Sequence, residues 1–209
     1  MSLVQPDEMA SRIGAVNTVD LRTMLGHNTD GVGLVRALRA EGVEPLGLRV
    51  LVMGAGGAAR AVAVALSQEG ARLTVANRDV DRARRVAAGI PGAAARGLES
   101  VGAIARQMDL VVNATPVGMH PDAGSTLLTR EDIRPGQVVF DTVYNPPETR
   151  LLAEARAAGA LALNGVKMLV HQGAESLRLW LGVEPPVDAM EEAVRGSLAA
   201  FPSAEGDAP

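Results

Sequence analysis

Leu48-Arg-Val-Leu-Val-Met-Gly-Ala-Gly-Gly-Ala-Ala-Arg60 decides the reading of this chain. An apolar run passes into a glycine cluster and then into an alanine-rich segment. That order is strand, phosphate loop, helix. Val50–Met53 is short and β-branched-rich, as a strand buried on both faces should be. Gly54, Gly56 and Gly57 permit a sharp turn and a close ligand approach. From Ala58 a helix begins whose first N–H groups lack internal partners, and a pyrophosphate suits that end. The pattern is G-x-G-x-x-A, with Ala59 in the third place. A glycine turn that only packs a strand on a helix would read the same way, so the rest of the chain must decide.

Composition sets the bounds. At 209 residues the chain can hold one large domain or two small ones. A net charge of −4 gives no general attraction to nucleic acid or to an anionic membrane. With no cysteine, disulfides, thiol catalysis and cysteine metal sites are excluded, and no metal site is proposed. No apolar run reaches spanning length and no signal pattern opens the chain, so a cytoplasmic location is the default expectation. Only four residues are aromatic (Phe140, Tyr144, Trp180 and Phe201), which fits an aliphatic α/β core. Lys167 is the only lysine.

Outward from the loop, the chain alternates strands and helices. Strands are predicted over 72–76, 93–96, 109–114, 138–143 and 160–163. Helices are predicted over 58–67, 80–88, 99–107, 149–158 and 168–180, with a last one from Pro185 to about Ala200 and a disordered tail over 202–209. This βαβ order predicts an α/β, Rossmann-like, doubly wound parallel sheet. Upstream, a short helix near 7–12 precedes two strands, 13–19 and 23–27, joined by a turn. Asn28-Thr-Asp-Gly31 then reads as cap chemistry opening a helix that Gly42 ends. A lone hairpin is marginal in water, so a segment absent here or in another chain should complete its sheet. Its open edge could pair with a second copy as a homodimer.

Strand ends carry the chemistry in such a sheet. After the 72–76 strand stand Asn77-Arg78 and then Arg82, with Arg84 and Arg85 behind. A guanidinium there suits a 2′-phosphate through two parallel charge-assisted bonds, which favours NADP. Asp79 opposes this by placing a negative charge beside the phosphate. Asn113 and Thr115 fall where a nicotinamide ribose could lie.

Several of these stretches together resemble the shikimate dehydrogenase family. They are Gly14-Ala-Val-Asn-Thr18, Gly26-His-Asn-Thr-Asp-Gly31, Gly54–Arg60, Asn77-Arg78, Asn113-Ala-Thr-Pro-Val-Gly-Met119, Asp141-Thr-Val-Tyr-Asn-Pro146, and Asn164-Gly-Val-Lys-Met-Leu-Val-His-Gln172. They run in the family's order from residue 13 onward. The resemblance implies NADP-linked reduction of 3-dehydroshikimate to shikimate, in aromatic amino-acid biosynthesis. It implies that Asp30 is the acid of a Lys/Asp proton-handling pair. Asn17, Asp30, Tyr144 and Gln172 match substrate contacts. Gly54, Ala55, Gly56, Gly57, Ala58, Asn77, Arg78, Arg82, Asn113, Thr115, Thr142, Gly165 and Met168 match the cofactor's surroundings.

The departure from the family is at the front. The Ser-x-Ser element and catalytic lysine of the family's substrate domain are not in this sequence. Residues 1–29 read as the remnant of that domain, 30–184 as the NADP-binding domain with its linker helices, and 185–201 as a C-terminal helix. Impaired turnover is the expectation. Lys167 stands at a different motif position, and using it as the general acid would require reach to the substrate oxygen. Two alternatives stay open: a non-catalytic NADP-binding module, and an NAD-preferring quinate/shikimate dehydrogenase motivated by Asp79.

Overall fold

A computed structural model describes residues 3–200 of the chain. The predicted disordered tail, 202–209, lies outside the described residues. The first elements are β1 (Gln5–Pro6), α1 (Glu8–Ile13), β2 (Thr18–Asp20), β3 (Leu25–His27) and α2 (Asp30–Ala40). Asp7 caps α1 by accepting from Ala10 N at 2.6 Å, and its other oxygen lies 2.6 Å from His27 Nδ1. Because the helix runs to Ile13 and closes at Gly14 in the left-handed region (φ 70), the predicted strand over 13–19 shrinks to Thr18–Asp20. The hairpin is not alone. β3 lies between β2, antiparallel, and β1, parallel, and β1 had no signal in so short and Pro-containing a segment.

The second part continues β4 (Arg49–Met53), α3 (Gly57–Gln68), β5 (Arg72–Ala76), α4 (Val80–Ala88), β6 (Ala94–Arg96), α5 (Val101–Ala105), β7 (Leu110–Asn113), β8 (Val138–Asp141), α6 (Arg150–Ala157), β9 (Leu161–Leu163), α7 (Val166–Leu181) and α8 (Val187–Ala200). Its six strands are all parallel in the order β6-β5-β4-β7-β8-β9. β4 has a neighbour from each half of the sequence, so the winding direction reverses beside it.

The pleat sorts β4 into two cores. Val50 and Val52 join Leu34, Leu38, Val62 and Leu66 on one face. Leu51 and Met53 join Val101, Leu151 and Ala155 on the other. All four β4 residues are fully buried, each worth about 1.5–3 kcal/mol of apolar burial. The helix α2 is wedged between α3 and α7. A Cβ on Gly31 would come within 2.8 Å of Ala61 O, and one on Gly33 within 2.8 Å of Met168 O. Small residues there let the backbones meet closely and fix where α2 begins.

Candidate functional site

The turn after β4 divides its glycines by task. Gly54 has φ +126, and a Cβ on it would stand 2.5 Å from Ala114 O, so the ends of β4 and β7 require glycine. Its N–H donates to Ala76 O at 2.8 Å, tying in the end of β5 as well. Gly56 is different: a Cβ there would meet nothing within 4 Å. Gly56 is also the N-cap of α3 and supplies no side-chain hydrogen bond to it. The helix therefore presents uncapped N–H groups, those of Gly57 and Ala58 among them, to open space. The packing reading of the glycine turn holds at Gly54, whereas at Gly56 the space is open.

A cavity of about 460 Å³ opens at this turn, lined by Gly54, Ala55, Gly56, Asn77, Arg78 and Arg82 on one side. Ala114, Thr115, Pro116 and Val117 line the other. It occupies the reversal point of the winding, where α/β sheets bind ligands. Among the described residues Arg78 has no ion-pair partner. Asp79 also borders the cavity, but its carboxylate caps α4. Asp79 Oδ1 accepts from Asp81 N at 3.0 Å and Arg82 N at 3.3 Å, and Oδ2 lies 3.4 Å from Arg82 Nε. The acid is held at a helix N-terminus rather than left free to meet a ribose.

Thr115 and Pro116 also line a second cavity, of about 280 Å³, with Thr142 and Tyr144. Arg78, Arg82, Thr115, Thr142 and Tyr144 thus border two cavities that share Thr115 and Pro116. Tyr144 is half-exposed and makes no hydrogen bond among the described residues.

Asn113 lines neither cavity. It is buried, and every polar atom of its side chain is engaged. Nδ2 donates to Asp141 Oδ1 at 2.9 Å and Val117 O at 3.2 Å, while Oδ1 accepts from Thr115 N at 3.1 Å and Thr115 Oγ1 at 2.6 Å. Its side chain shapes the Thr115–Val117 turn. Burial pushes the Asp141 carboxyl up, and hydrogen bonds from Thr149, Val143 N and Asn113 partly oppose that. Met168 packs its side chain in the core with Leu34 and Phe140 and lines neither cavity. Gly165 is buried and packs at the end of β8, where a Cβ would stand on Thr142 O. Both residues act on the cavities through packing.

A polar cluster gathers where the small sheet meets α2 and α7. Asn17 Nδ2 donates to Asp30 Oδ1 at 2.8 Å and to Thr29 Oγ1 at 3.1 Å. Thr29 N returns a bond to Asn17 Oδ1 at 3.0 Å, and Thr29 Oγ1 donates to Gln172 Oε1 at 3.3 Å. Three of the four residues matched to substrate contacts are therefore brought together. Burial raises the pKa of Asp30, opposed by the bond from Asn17. The cap reading of Asn28–Asp30 is corrected in part. Thr29 is the N-cap of α2 but gives no side-chain cap bond, because its hydroxyl is turned into the cluster. Thr29, read from sequence only as cap chemistry, belongs to the cluster, as do Thr18 and Ser176, which were not singled out, although Gln172 and Ser176 stand one helical turn apart. Lys167 is elsewhere. Its Nζ pairs with Glu41 at 2.5 Å, at the far end of α2. Eleven helical residues put that end about 16 Å from Asp30.

Among the described residues no helix is long and apolar enough to cross a membrane. The family described as "Shikimate / quinate 5-dehydrogenase" matches residues 39–134, and "Shikimate 5'-dehydrogenase C-terminal domain" matches residues 165–195. A curated "Shikimate dehydrogenase (NADP(+))" of Methanosarcina mazei is 48% identical over 209 residues, covering 96% of this chain and 75% of that protein. The crystal structure of shikimate 5-dehydrogenase from Thermus thermophilus, in complex with NADP(H) and shikimate, superposes with TM-score 0.84 at 41% identity, over 93% of this chain and 73% of that one. Quinate dehydrogenase from Corynebacterium glutamicum in complex with NAD superposes with TM-score 0.83 at 36% identity, over 93% and 72%.

Proposed function

The chain belongs to the shikimate dehydrogenase family, and from that premise we propose that it serves the NADP-linked reduction of 3-dehydroshikimate to shikimate. The observation that carries the cofactor half is the pairing of open space at Gly56 with an uncapped α3 and an unpaired Arg78 on the same cavity. The residues fit a dinucleotide phosphate. Gly56, Gly57 and Ala58 would hold the pyrophosphate by backbone N–H, and Asn77, Arg78 and Arg82 would hold the 2′-phosphate. Thr115 and Thr142 border the farther cavity. When bound, NADPH supplies a hydride to a carbonyl carbon.

The chain's own residues supply positioning and the carboxyl half of the proton-handling pair. Asn17, Asp30 and Gln172 form the hydroxyl-recognising cluster, which supports a polyhydroxylated ring as substrate. Asp30, its pKa raised by burial, retains its proton further up the pH scale than an exposed carboxyl does. No lysine stands with it, since Lys167 is paired to Glu41. We therefore expect the 209-residue polypeptide to bind NADPH and to turn over slowly. A missing general acid typically lowers the rate by about 10²–10⁴.

The test uses purified polypeptide, with nicotinamide fluorescence for binding and loss of NADPH absorbance with 3-dehydroshikimate for turnover. Gly56→Ala should fold normally and bind NADPH at least about tenfold more weakly, since its methyl would occupy the space the phosphate needs. Unchanged affinity in that variant would refute the loop assignment, and rapid turnover by the wild-type polypeptide would refute the proton assignment. Asp79 beside the groove favours a second reading, an NAD-preferring shikimate or quinate enzyme. Its carboxylate is engaged with α4, which supports NADP instead. A lower KM for NAD than for NADP would reverse that preference.

A further inference from the structure

A cavity of about 380 Å³ bordered by α1, α3 and α4 gathers Arg12, Arg60, Arg82 and Arg85. No carboxylate lines it, and the remaining wall is small or apolar, chiefly Val64, Val86 and Ile90. Arg60 Nε is buried with no hydrogen-bond partner. A Cβ on Gly14 would stand 2.9 Å from Arg60 Nη1, so the guanidinium is threaded beneath the end of α1 and held by backbone. Arg82 is the only one of the four with an ion-pair partner among the described residues, Asp79 at 3.4 Å. Four like charges around one cavity repel one another, and a buried guanidinium N–H without an acceptor forgoes a charge-assisted bond. A dianion in the cavity would relieve the repulsion.

This cavity touches the nucleotide groove only through Ala55 and Arg82, which line both. The dinucleotide reading uses Asn77, Arg78 and Arg82 and leaves Arg12, Arg60 and Arg85 without a task. We propose that the arginine cavity is a second anion site, taking a small organic phosphomonoester while the dinucleotide lies in the adjoining groove. Guanidinium forks match phosphoryl oxygens, and Val64, Val86 and Ile90 accept the carbon skeleton. The proposal rests on the NADPH reading above to the extent that Arg78 and its groove are already filled.

The test is a calorimetric titration of NADPH-saturated polypeptide with glycerol 3-phosphate, and separately with inorganic phosphate. NADPH loading is followed independently by its fluorescence. Saturable binding of glycerol 3-phosphate, tighter than inorganic phosphate, is expected. The exposed pair Arg12→Gln/Arg85→Gln should weaken it about tenfold or more, with the fold checked by circular dichroism. Arg78→Gln should lower NADPH affinity and leave the glycerol 3-phosphate affinity unchanged. No saturable binding to the NADPH-loaded protein, or equal affinity in the Arg12/Arg85 variant, overturns the proposal. So does phosphate binding that appears only when NADPH is left out, since it then belongs to the groove. If NADPH itself fails to bind, the cofactor reading fails. The same titration of unliganded wild-type and variant protein then decides the arginine cavity by itself.

Discussion

Replacing Asn113 with alanine should destabilise the fold by about 3–5 kcal/mol although the residue lines neither cavity. The magnitude follows from its four hydrogen bonds. The one to the Asp141 carboxylate is charge-assisted and contributes about 1.5–3 kcal/mol, and each of the other three about 0.5–1.5. They share atoms and one short turn, so the total falls below their simple sum. For a chain of this size the melting temperature should fall by about 10 °C or more. The loss should also depend on pH. Burial already pushes the Asp141 carboxyl up, and removing Asn113 leaves that burial less opposed. A carboxyl with a raised folded-state pKa contributes stability that is fully present below the ordinary carboxylate range. That contribution is lost as pH rises through the raised value. The deficit of the variant should therefore be larger at neutral pH than in acid. Urea unfolding at neutral and acidic pH measures it, with and without NADPH. A deficit under about 1 kcal/mol, or one independent of pH, would refute the reasoning. Lost NADPH affinity with unchanged stability would restore the direct ribose contact expected from sequence.

Arg78→Ala should weaken NADPH by about 1–3 kcal/mol and leave NADH unaffected; equal losses in parallel titrations would sink the 2′-phosphate assignment. Asp30→Asn should leave NADPH affinity unchanged and lower turnover by about 10²–10⁴. It should not destabilise the protein at neutral pH, because it removes a carboxylate whose ionisation burial disfavours. Burial first, and Arg36 second, lower the pKa of His171. Stability held by the neutral ring is then present above the usual histidine range, near 6.5, and lost as pH falls through the lowered value. His171→Gln should flatten that part of the stability profile, and an unchanged profile would show that the ring does not report on folding.

The main sheet was legible because β4, β5, β7 and β8 are short apolar runs with a burial requirement on both faces, and the helices between them keep a 3.6-residue period. The small sheet was not legible in the same way. β1 is two residues long, and the strand beginning at Thr18 was overestimated because Asp7 and Gly14 set the ends of a helix that the apolar residues of 13–19 obscure. Site residues divided on similar lines. Gly56, Arg78, Asn17 and Asp30 stand beside the ends of elements, where sequence patterns single them out, whereas Gln172 lies inside α7 and was matched by the family resemblance alone. The bond from Asn113 to Asp141 was not legible, because a polar residue at a strand end looks alike in sequence whether it faces a ligand or a buried carboxylate. The cluster of Arg12, Arg60, Arg82 and Arg85 draws on three separate elements, and no linear spacing announces it.

The wedging of α2 has a mechanical consequence. Gly31 and Gly33 lock its first turns against α3 and α7, and Asp30 is its first residue. The carboxylate is thus bolted to the same rigid block as the glycine loop, whereas Asn17 belongs to the small sheet. A swing of that sheet about residues 28–29 would leave the acid in register with the loop and break the 2.8 Å bond from Asn17. Opening and closing would then be felt at the recognition of hydroxyl groups, while the spacing between acid and dinucleotide stayed constant.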